Sequence, residues 1–199
     1  VLAAPGADGP GAWIEASARL AGAAATCASP PMGEVETLAA AIAAPGADLV
    51  LVLGGGGLGE RDHGAAAIAR TGKLAVHGVA LAPGSALAAG LAGPVPVVVT
   101  GADLASAAAA FLAVVRPLLD RLRGLALPAA TVEGPLTRKV SSRLGLDEIV
   151  LLRRENGAFE PLVTGDVTLS ALLAADAWFL VRAASEGHAA GEKIRAHAL

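Results

Sequence analysis

The chain has 199 residues, a formal net charge of −3, and 54% hydrophobic residues of which very few are aromatic. That length supplies one good core or two small ones, and its packing must rest on Leu, Val, Ile and Ala. The acidic balance and the lack of a long basic run argue against a nucleic-acid binder. The most apolar stretch, residues 79–115, is interrupted by Pro83, Gly84, Pro94, Pro96 and Asp103, whereas a membrane span needs roughly 20 uninterrupted apolar residues.

The first half alternates strand and helix signals. Val1–Ala4 reads as a short strand ended by Pro5-Gly6. Ala12–Leu20 reads as a helix with Trp13, Ala16 and Leu20 on one face, closed by Gly22. Ala24–Ala28 is a weak strand. Gly33–Ala44 is a second helix, with Val35, Leu38, Ala39 and Ile42 at helical spacing and Pro45-Gly46 as its stop. The run LVLVL that follows Asp48 is continuous and apolar, as in a strand covered on both faces. After four glycines, Asp62 predicts an N-cap for a helix through Arg70, and Gly72 stands where a C-terminal glycine belongs. Val76–Leu81 and Val95–Thr100 read as further strands, and Leu104–Arg123 as a long helix that Pro117 kinks or divides. Such alternation predicts a largely parallel sheet between helices.

From about Gly124 the pattern becomes β-rich, with helical period only at Leu169–Ala175. Asn156-Gly157 between two strand-like runs predicts a hairpin, because both turn positions must tolerate positive φ. The expected organisation is therefore a three-layer α/β domain with a mostly parallel sheet over 1–124, and a small all-β, barrel-like domain over 125–199.

Lone Cys27 cannot form an internal disulfide, which fits a reducing, cytoplasmic setting. The chain begins at Val1 without a basic leader region, so it reads as part of a longer protein with upstream domains.

The glycine loop, LVLVLGGGGLGERDHG at 49–64, leaves several readings open. Gly54, Gly56 and Gly59 satisfy G-x-G-x-x-G, but the ribose-binding acid expected roughly 20 positions on is absent. No Gly-Lys-Ser/Thr ends the loop, so a P-loop fits less well. A plain tight turn that lets strand and helix pack closely is the simplest alternative. A physical argument favours an anion: the loop lies at a strand's carboxyl end and leads into a helix N-terminus, with its free N–H groups and dipole. Asp62 is either a ligand or metal group or simply a cap. His63, His77, His188 and His197 lack metal-ligand spacing and read as structural or solvated.

GGxxLGERD resembles the S-G-G-x-S-x-G-E-x-D loop of the molybdopterin-binding domain shared by MogA, MoeA and gephyrin. Ala82-Pro83-Gly84-Ser85-Ala86 stands where MoeA-type proteins carry K-P-G-K-P, and Thr100-Gly101-Ala102-Asp103 where they carry P-G-N-P. The tail, through LTRKVSSRLGLDEIVLL, EPLVTG and LLAADAWFLVRAASEGHAAGEKIRAHAL, is similar to the small C-terminal domain of MoeA, and its GHAAGEK ending is the most specific match. The resemblance implies a cytoplasmic homodimer that binds molybdopterin, or its adenylylated form, and inserts molybdate with Mg²⁺. It places ligand contacts at Gly54, Gly55, Gly57, Gly59, Pro83, Gly84, Ser85 and Gly101, and gives Asp62 a catalytic and metal-binding role.

The departures from the pattern fall on reacting groups. Leu53 and Gly57 replace two serines, Ala82 and Ser85 two lysines, and Ala102-Asp103 an Asn-Pro pair. Pro5-Gly6-Ala7-Asp8 resembles a worn T-G-D-E, Glu15 loosely matches an acid position of the first helix, and Asp166-Val167 replaces Gly-Ser. Losing two lysine contacts costs about 3–6 kcal/mol, on the order of 10² to 10⁴ in affinity or rate. Asp62, with Asp8 or Glu15 as its nearest helpers, is a thin set of ligands for Mg²⁺. The expected function is molybdopterin binding with insertase chemistry weakened or lost. The alternative is a non-catalytic dimeric scaffold or regulatory domain reusing the fold.

Overall fold

Buried on both faces, the apolar run after Asp48 forms strand β2 (Val50–Leu53), and the rest of the first unit is arranged around it. The computed structural model describes the whole chain except residues 45, 57, 58, 60, 61 and 126–130. It divides into two compact units, Val1–Val79 with Gly84–Arg123, and Ala80–Pro83 with Gly124–Leu199.

In the first unit, β1 (Leu2–Ala3) is followed by helices α1 (Asp8–Leu20) and α2 (Val35–Ile42), then β2, helix α3 (Gly64–Thr71) and strand β3 (Gly72–His77). Strand β4 (Leu81–Ala82) lies in the second unit. Back in the first unit come β5 (Ala88–Ala92), β6 (Val95–Thr100), and a helical run made of α4 (Leu104–Ala110), a π-helical stretch (Phe111–Val115) and α5 (Arg116–Leu122). The division expected at Pro117 takes this form. The π turn lies just ahead of the proline, whose ring and missing N–H are accommodated in the first turn of α5.

The sheet order is β1-β2-β6-β5-β3. The β1–β2 and β2–β6 pairs are parallel, but β6–β5 and β5–β3 are antiparallel. The sheet is thus mixed rather than mostly parallel. Its antiparallel half contains β5, AAGLA, a small-residue strand that composition does not announce. Gly90 makes that strand possible, since a Cβ there would stand 2.2 Å from the Lys73 carbonyl oxygen and 2.5 Å from Ile68 Cγ2. Val50, Val52, Val97 and Val99 pack with α2 and α3 in one core. The alternating Leu51, Leu53 and Val98 are also buried and point the other way, as pleating requires. α1 packs on α4, and Trp13 meets Phe111 edge-on at 5.7 Å.

Several local expectations are corrected. α1 buries Gly11, Ile14 and Ala18, not a Trp13–Ala16–Leu20 face, and Leu20 is 90% exposed. In an alanine-rich helix the periodicity is too weak to choose the face. Ala24–Ala28 supplies only a bridge between Leu2 and Ala28, so the glycine loop follows the second strand of the chain. The strand expected at Val76–Leu81 is replaced by β3, which starts at the α3 C-cap Gly72, and by the two-residue β4.

The second unit contains β7 (Thr131–Pro135), β9 (Asp147–Glu155), β10 (Ala158–Thr164), β11 (Ala177–Val181) and β13 (Lys193–Ala198). They run in the order β10-β9-β11-β13-β7, with β4 parallel to β9. β8 (Val140–Ser141) pairs β12 (Gly187–His188) separately. Leu136 bridges Phe159 and the Thr137 N–H donates to the Phe159 carbonyl at 2.9 Å, which brings the two outer strands together into a barrel-like closure. The β9–β10 hairpin turns at Asn156 (φ 50°) and Gly157 (φ 79°), as the Asn-Gly signal predicts. One short helix, α6 (Leu169–Ala174), stands at the expected place, its Thr168 hydroxyl accepting from the Ala171 N–H at 3.2 Å.

Buried Glu148 is fully engaged in this unit. One carboxylate oxygen accepts from Ser142 Oγ at 2.8 Å and the Arg143 N–H at 3.0 Å, the other from Arg143 Nε at 2.9 Å. Burial alone would raise its pKa. The Arg143 N–H, the Ser142 hydroxyl and the Arg143 guanidinium together hold it below the ordinary carboxylate value.

Candidate functional site

Three turns of the first unit converge at the carboxyl ends of β2 and β6. Where β2 stops, the Gly54 N–H donates to the Thr100 carbonyl at 2.9 Å, tying the two strand ends together. Gly54 has φ 104°, and a Cβ on it would lie 2.7 Å from the Ala4 methyl. Gly56 lies directly over Thr100, where a Cβ would be 2.7 Å from the carbonyl carbon. The Gly64 N–H, first of α3, donates to the Gly55 carbonyl at 3.0 Å, so it is already engaged within the loop.

Asp62 is not the N-cap of α3. That helix starts later, with His63 at its cap position and no side-chain cap bond. The Asp62 carboxylate instead accepts the Gly59 N–H at 2.8 Å, while the Asp62 N–H donates to the Gly59 carbonyl at 3.0 Å. This reciprocal pair closes the loop on itself. The second turn, Gly101-Ala102-Asp103, leads into α4. Asp103 caps that helix, its Oδ1 accepting the Ser106 N–H at 2.8 Å. The third turn, at 84–87, is held by the Leu87 N–H on the Gly84 carbonyl, and the Val79 N–H donates to the Ser85 carbonyl at 2.8 Å.

These turns enclose a cleft of ≈ 360 Å³. Of the residues singled out from sequence, Gly54, Gly55, Asp62, Gly84, Ser85 and Gly101 line it. Gly59 and Pro83 are not among its lining. Gly59 acts through its bond to Asp62, Pro83 belongs to the second unit, and Gly57 is outside the described residues. Gly56, Ala86, Ala102, Asp103 and Ser106 also line the cleft. Asp103 carried a readable signal, since Asp directly ahead of a helix start is a favoured N-cap. Asp8 is exposed in the first turn of α1, Glu15 pairs with Arg19 at 2.5 Å, and neither lines the cleft.

The volume suits a small organic ligand, for which roughly 300–1,000 Å³ is usual. Five of the eleven described lining residues are glycines, and Ser85 and Ser106 are among the others. Among the described residues, Asp62 and Asp103 are the only charged side chains of the lining. No group of three or more His, Cys, Asp or Glu among the described residues is placed to hold a metal ion. His63 sits at the α3 cap, His188 pairs with Glu192 at 2.6 Å, and His197 stacks on Trp178 at 4.9 Å. Among the described residues no helix is long and apolar enough to cross a membrane.

Residues 3–121 match the family described as probable molybdopterin binding domain. A Methanocaldococcus jannaschii protein named for molybdopterin biosynthesis is 28% identical over 153 residues, which is 76% of this chain and 36% of that protein. A molybdenum cofactor biosynthesis protein of Pyrococcus furiosus has a similar structure, with TM-score 0.78 and 19% identity over all of this chain and 66% of its own. A MoeA protein of Pyrococcus horikoshii gives TM-score 0.68 and 25% identity over 83% of this chain and 41% of its own. The chain thus spans about a third of the curated relative and less than two thirds of the solved ones. With the family model covering more than half its length, the chain belongs to the family of probable molybdopterin binding domains, in a divergent, MoeA-like form.

Proposed function

We propose that the cleft between the Gly54–Gly56 turn and the Gly101 turn binds molybdopterin or its adenylylated form, and that the chain serves molybdenum-cofactor biosynthesis or handling in the cytoplasm with its molybdate-insertion chemistry weakened or lost. The observation that carries this reading is the character of the lining: a ligand-sized cleft rich in glycine, with two carboxylates and no Lys or Arg among its described residues. Backbone N–H groups and the Ser85 and Ser106 hydroxyls supply neutral hydrogen bonds that hold a ligand. Insertion of an oxyanion requires positive charge where negative charge gathers, and no described lining residue brings it. Mg²⁺ on this reading arrives with the phosphates of the ligand, facing Asp62. Asp62 is the candidate reacting carboxylate, with Oδ2 engaged by Gly59 and Oδ1 as the remaining acceptor.

The test is titration of purified protein with molybdopterin, with and without Mg²⁺, in wild type and Asp62→Ala, alongside molybdate insertion into an apo-molybdoenzyme. Micromolar uptake that falls with Asp62→Ala, and insertion far below that of an active insertase, are the expected results. No uptake, or full insertion, refutes the reading. The same lack of Lys or Arg among the described lining residues favours a second reading, a non-catalytic homodimeric scaffold. Sedimentation that finds a dimer, together with failed ligand uptake, selects it.

A further inference from the structure

Resting on the pterin-binding reading, we infer that Asp103 is a specificity-determining residue, making its end of the cleft accept a hydrogen-bond-donating heterocycle edge and reject a phosphate or molybdate anion. Asp103 stands at the N-cap of α4, two residues after Gly101, and lines the cleft together with Gly101, Ala102 and Ser106. Its Oδ1 takes the Ser106 N–H at 2.8 Å, the donor that an incoming anion at this end would otherwise use. Its Oδ2 lies 2.7 Å from where a Cβ on residue 101 would be, with Ser106 Oγ 3.1 Å from the same point. Carboxylate, glycine backbone and hydroxyl are therefore stacked against one another at one wall. The fixed negative charge and the engaged N–H both oppose a second anion there.

What suits this wall is a group that donates. The carboxylate oxygen without a backbone partner accepts N–H, and a 2-amino-4-oxopyrimidine edge presents two such donors side by side. That edge occurs in pterins and in guanine. The ligand's phosphate is then directed away from Asp103, toward the Gly55-Gly56 side of the glycine turn, since the Gly54 N–H is already held by the Thr100 carbonyl. The residue that most departs from a phosphate-binding design acts as a selector for the ring end of the ligand.

The experiment is calorimetric titration of the whole chain and of Asp103→Asn with pterin, guanosine, inorganic phosphate and molybdate as separate probes. Asn remains a good N-cap, so the variant keeps α4 and removes only the charge, and circular dichroism verifies the fold. The wild type is expected to bind pterin and to bind phosphate and molybdate only weakly, at the Gly54–Gly56 turn. Asp103→Asn is expected to lose about ten-fold or more in pterin affinity and to gain at least about ten-fold in phosphate affinity. Guanosine binding by the wild type assigns recognition to the shared edge, and its exclusion assigns it to the pteridine ring. Phosphate binding in the wild type that matches the variant, pterin affinity unchanged by the substitution, or no pterin binding at all, overturns the inference. Molybdopterin uptake that survives such a result leaves the pterin-binding reading standing, so the two fail separately.

Discussion

Removing the Glu148 carboxylate tests the packing of the second unit most directly. In Glu148→Ala, the Ser142 hydroxyl and the Arg143 N–H both lose their acceptor. Glu148 is 3% exposed, so water does not readily replace it. The Arg143 side chain is 66% exposed, and its guanidinium turns to solvent at little cost. Two stranded donors at about 1–2 kcal/mol each, plus the small cavity left by the side chain, give a loss of about 3–4 kcal/mol, inside the range for breaking a buried pair. Glu148→Gln keeps one acceptor oxygen but sets an amide against the guanidinium, and loses about 1–2 kcal/mol. The pH dependence has a definite sign. The folded pKa is held below the ordinary value, so the contribution of the charge is complete above about pH 4.5 and fades as pH falls through the lower folded value. The gap between wild type and Glu148→Gln should therefore be constant from pH 7 to 5 and shrink toward pH 3. Urea unfolding followed by the fluorescence of buried Trp178, in a Trp13→Phe background, reads this unit alone. A loss below about 0.5 kcal/mol in Glu148→Ala, or a gap that does not close in acid, refutes the reasoning.

Gly64→Ala places a Cβ 2.4 Å from Val99 Cγ1 and 2.7 Å from the Gly55 carbonyl; thermal unfolding should show a loss of about 1–3 kcal/mol. Gly33→Ala, which meets nothing within 4 Å, should stay within about 0.5 kcal/mol of wild type. Gly157→Ala forces a residue with a side chain to φ 79° in the β9–β10 turn and should cost about 1–2 kcal/mol in urea unfolding. Asp103→Ala removes the α4 cap and should lower stability by about 1 kcal/mol, while Asp103→Asn stays within a few tenths of wild type; equal losses in the two variants would show that the cap is not what the side chain contributes.

Much of the architecture was legible because particular residues leave little choice. A continuous run of Val and Leu has to be a strand covered on both faces, and Asn-Gly between β-rich runs has to turn. Gly72 closes α3 where its position says it should. Other features escaped for equally physical reasons. β5 is built of alanines and a glycine, and it is a strand only because Gly90 lets the Lys73 carbonyl come within contact, a tertiary fact. Asp62 looks like a cap because it precedes a helix, but the carboxylate reaches back to Gly59 instead of forward. β4 joins the second unit through parallel pairing of Leu81 and Ala82 with Asp147 and Glu148, residues far apart in sequence, and local pattern carries no trace of that. The most specific family signal, GHAAGEK, proves to be structural. A Cβ on Gly187 would lie 2.0 Å from the Val140 carbonyl oxygen. Glu192 accepts from the Ala189 N–H at 2.9 Å and pairs with His188, which lowers its pKa. The motif identifies a fold and says nothing of a ligand.

The same distinction explains why the glycine loop persists while its reacting groups do not. Gly54, Gly56 and Gly64 are each required by the protein's own packing, against Ala4, Thr100 and Val99 respectively. A substitution at any of them disturbs the junction of β2, β6 and α3 whether or not anything binds there. The positions of the missing lysines and of the Asn-Pro pair are held differently. Ser85, Ala102 and Asp103 line the cleft, and Ser85 contributes its backbone, not its side chain, to the turn that closes on Val79. Ser85 and Asp103 are exposed and Ala102 is half-buried, so these side chains are freer to follow the chemistry demanded of the cleft, although Asp103 also caps α4; Ala82, at the other lysine position, is buried in β4. A Gly-rich turn kept intact is thus the expected residue of the fold alone. The changes beside it, Ala82 and Ser85 in place of two lysines and Ala102-Asp103 in place of an Asn-Pro pair, are where the information about function lies.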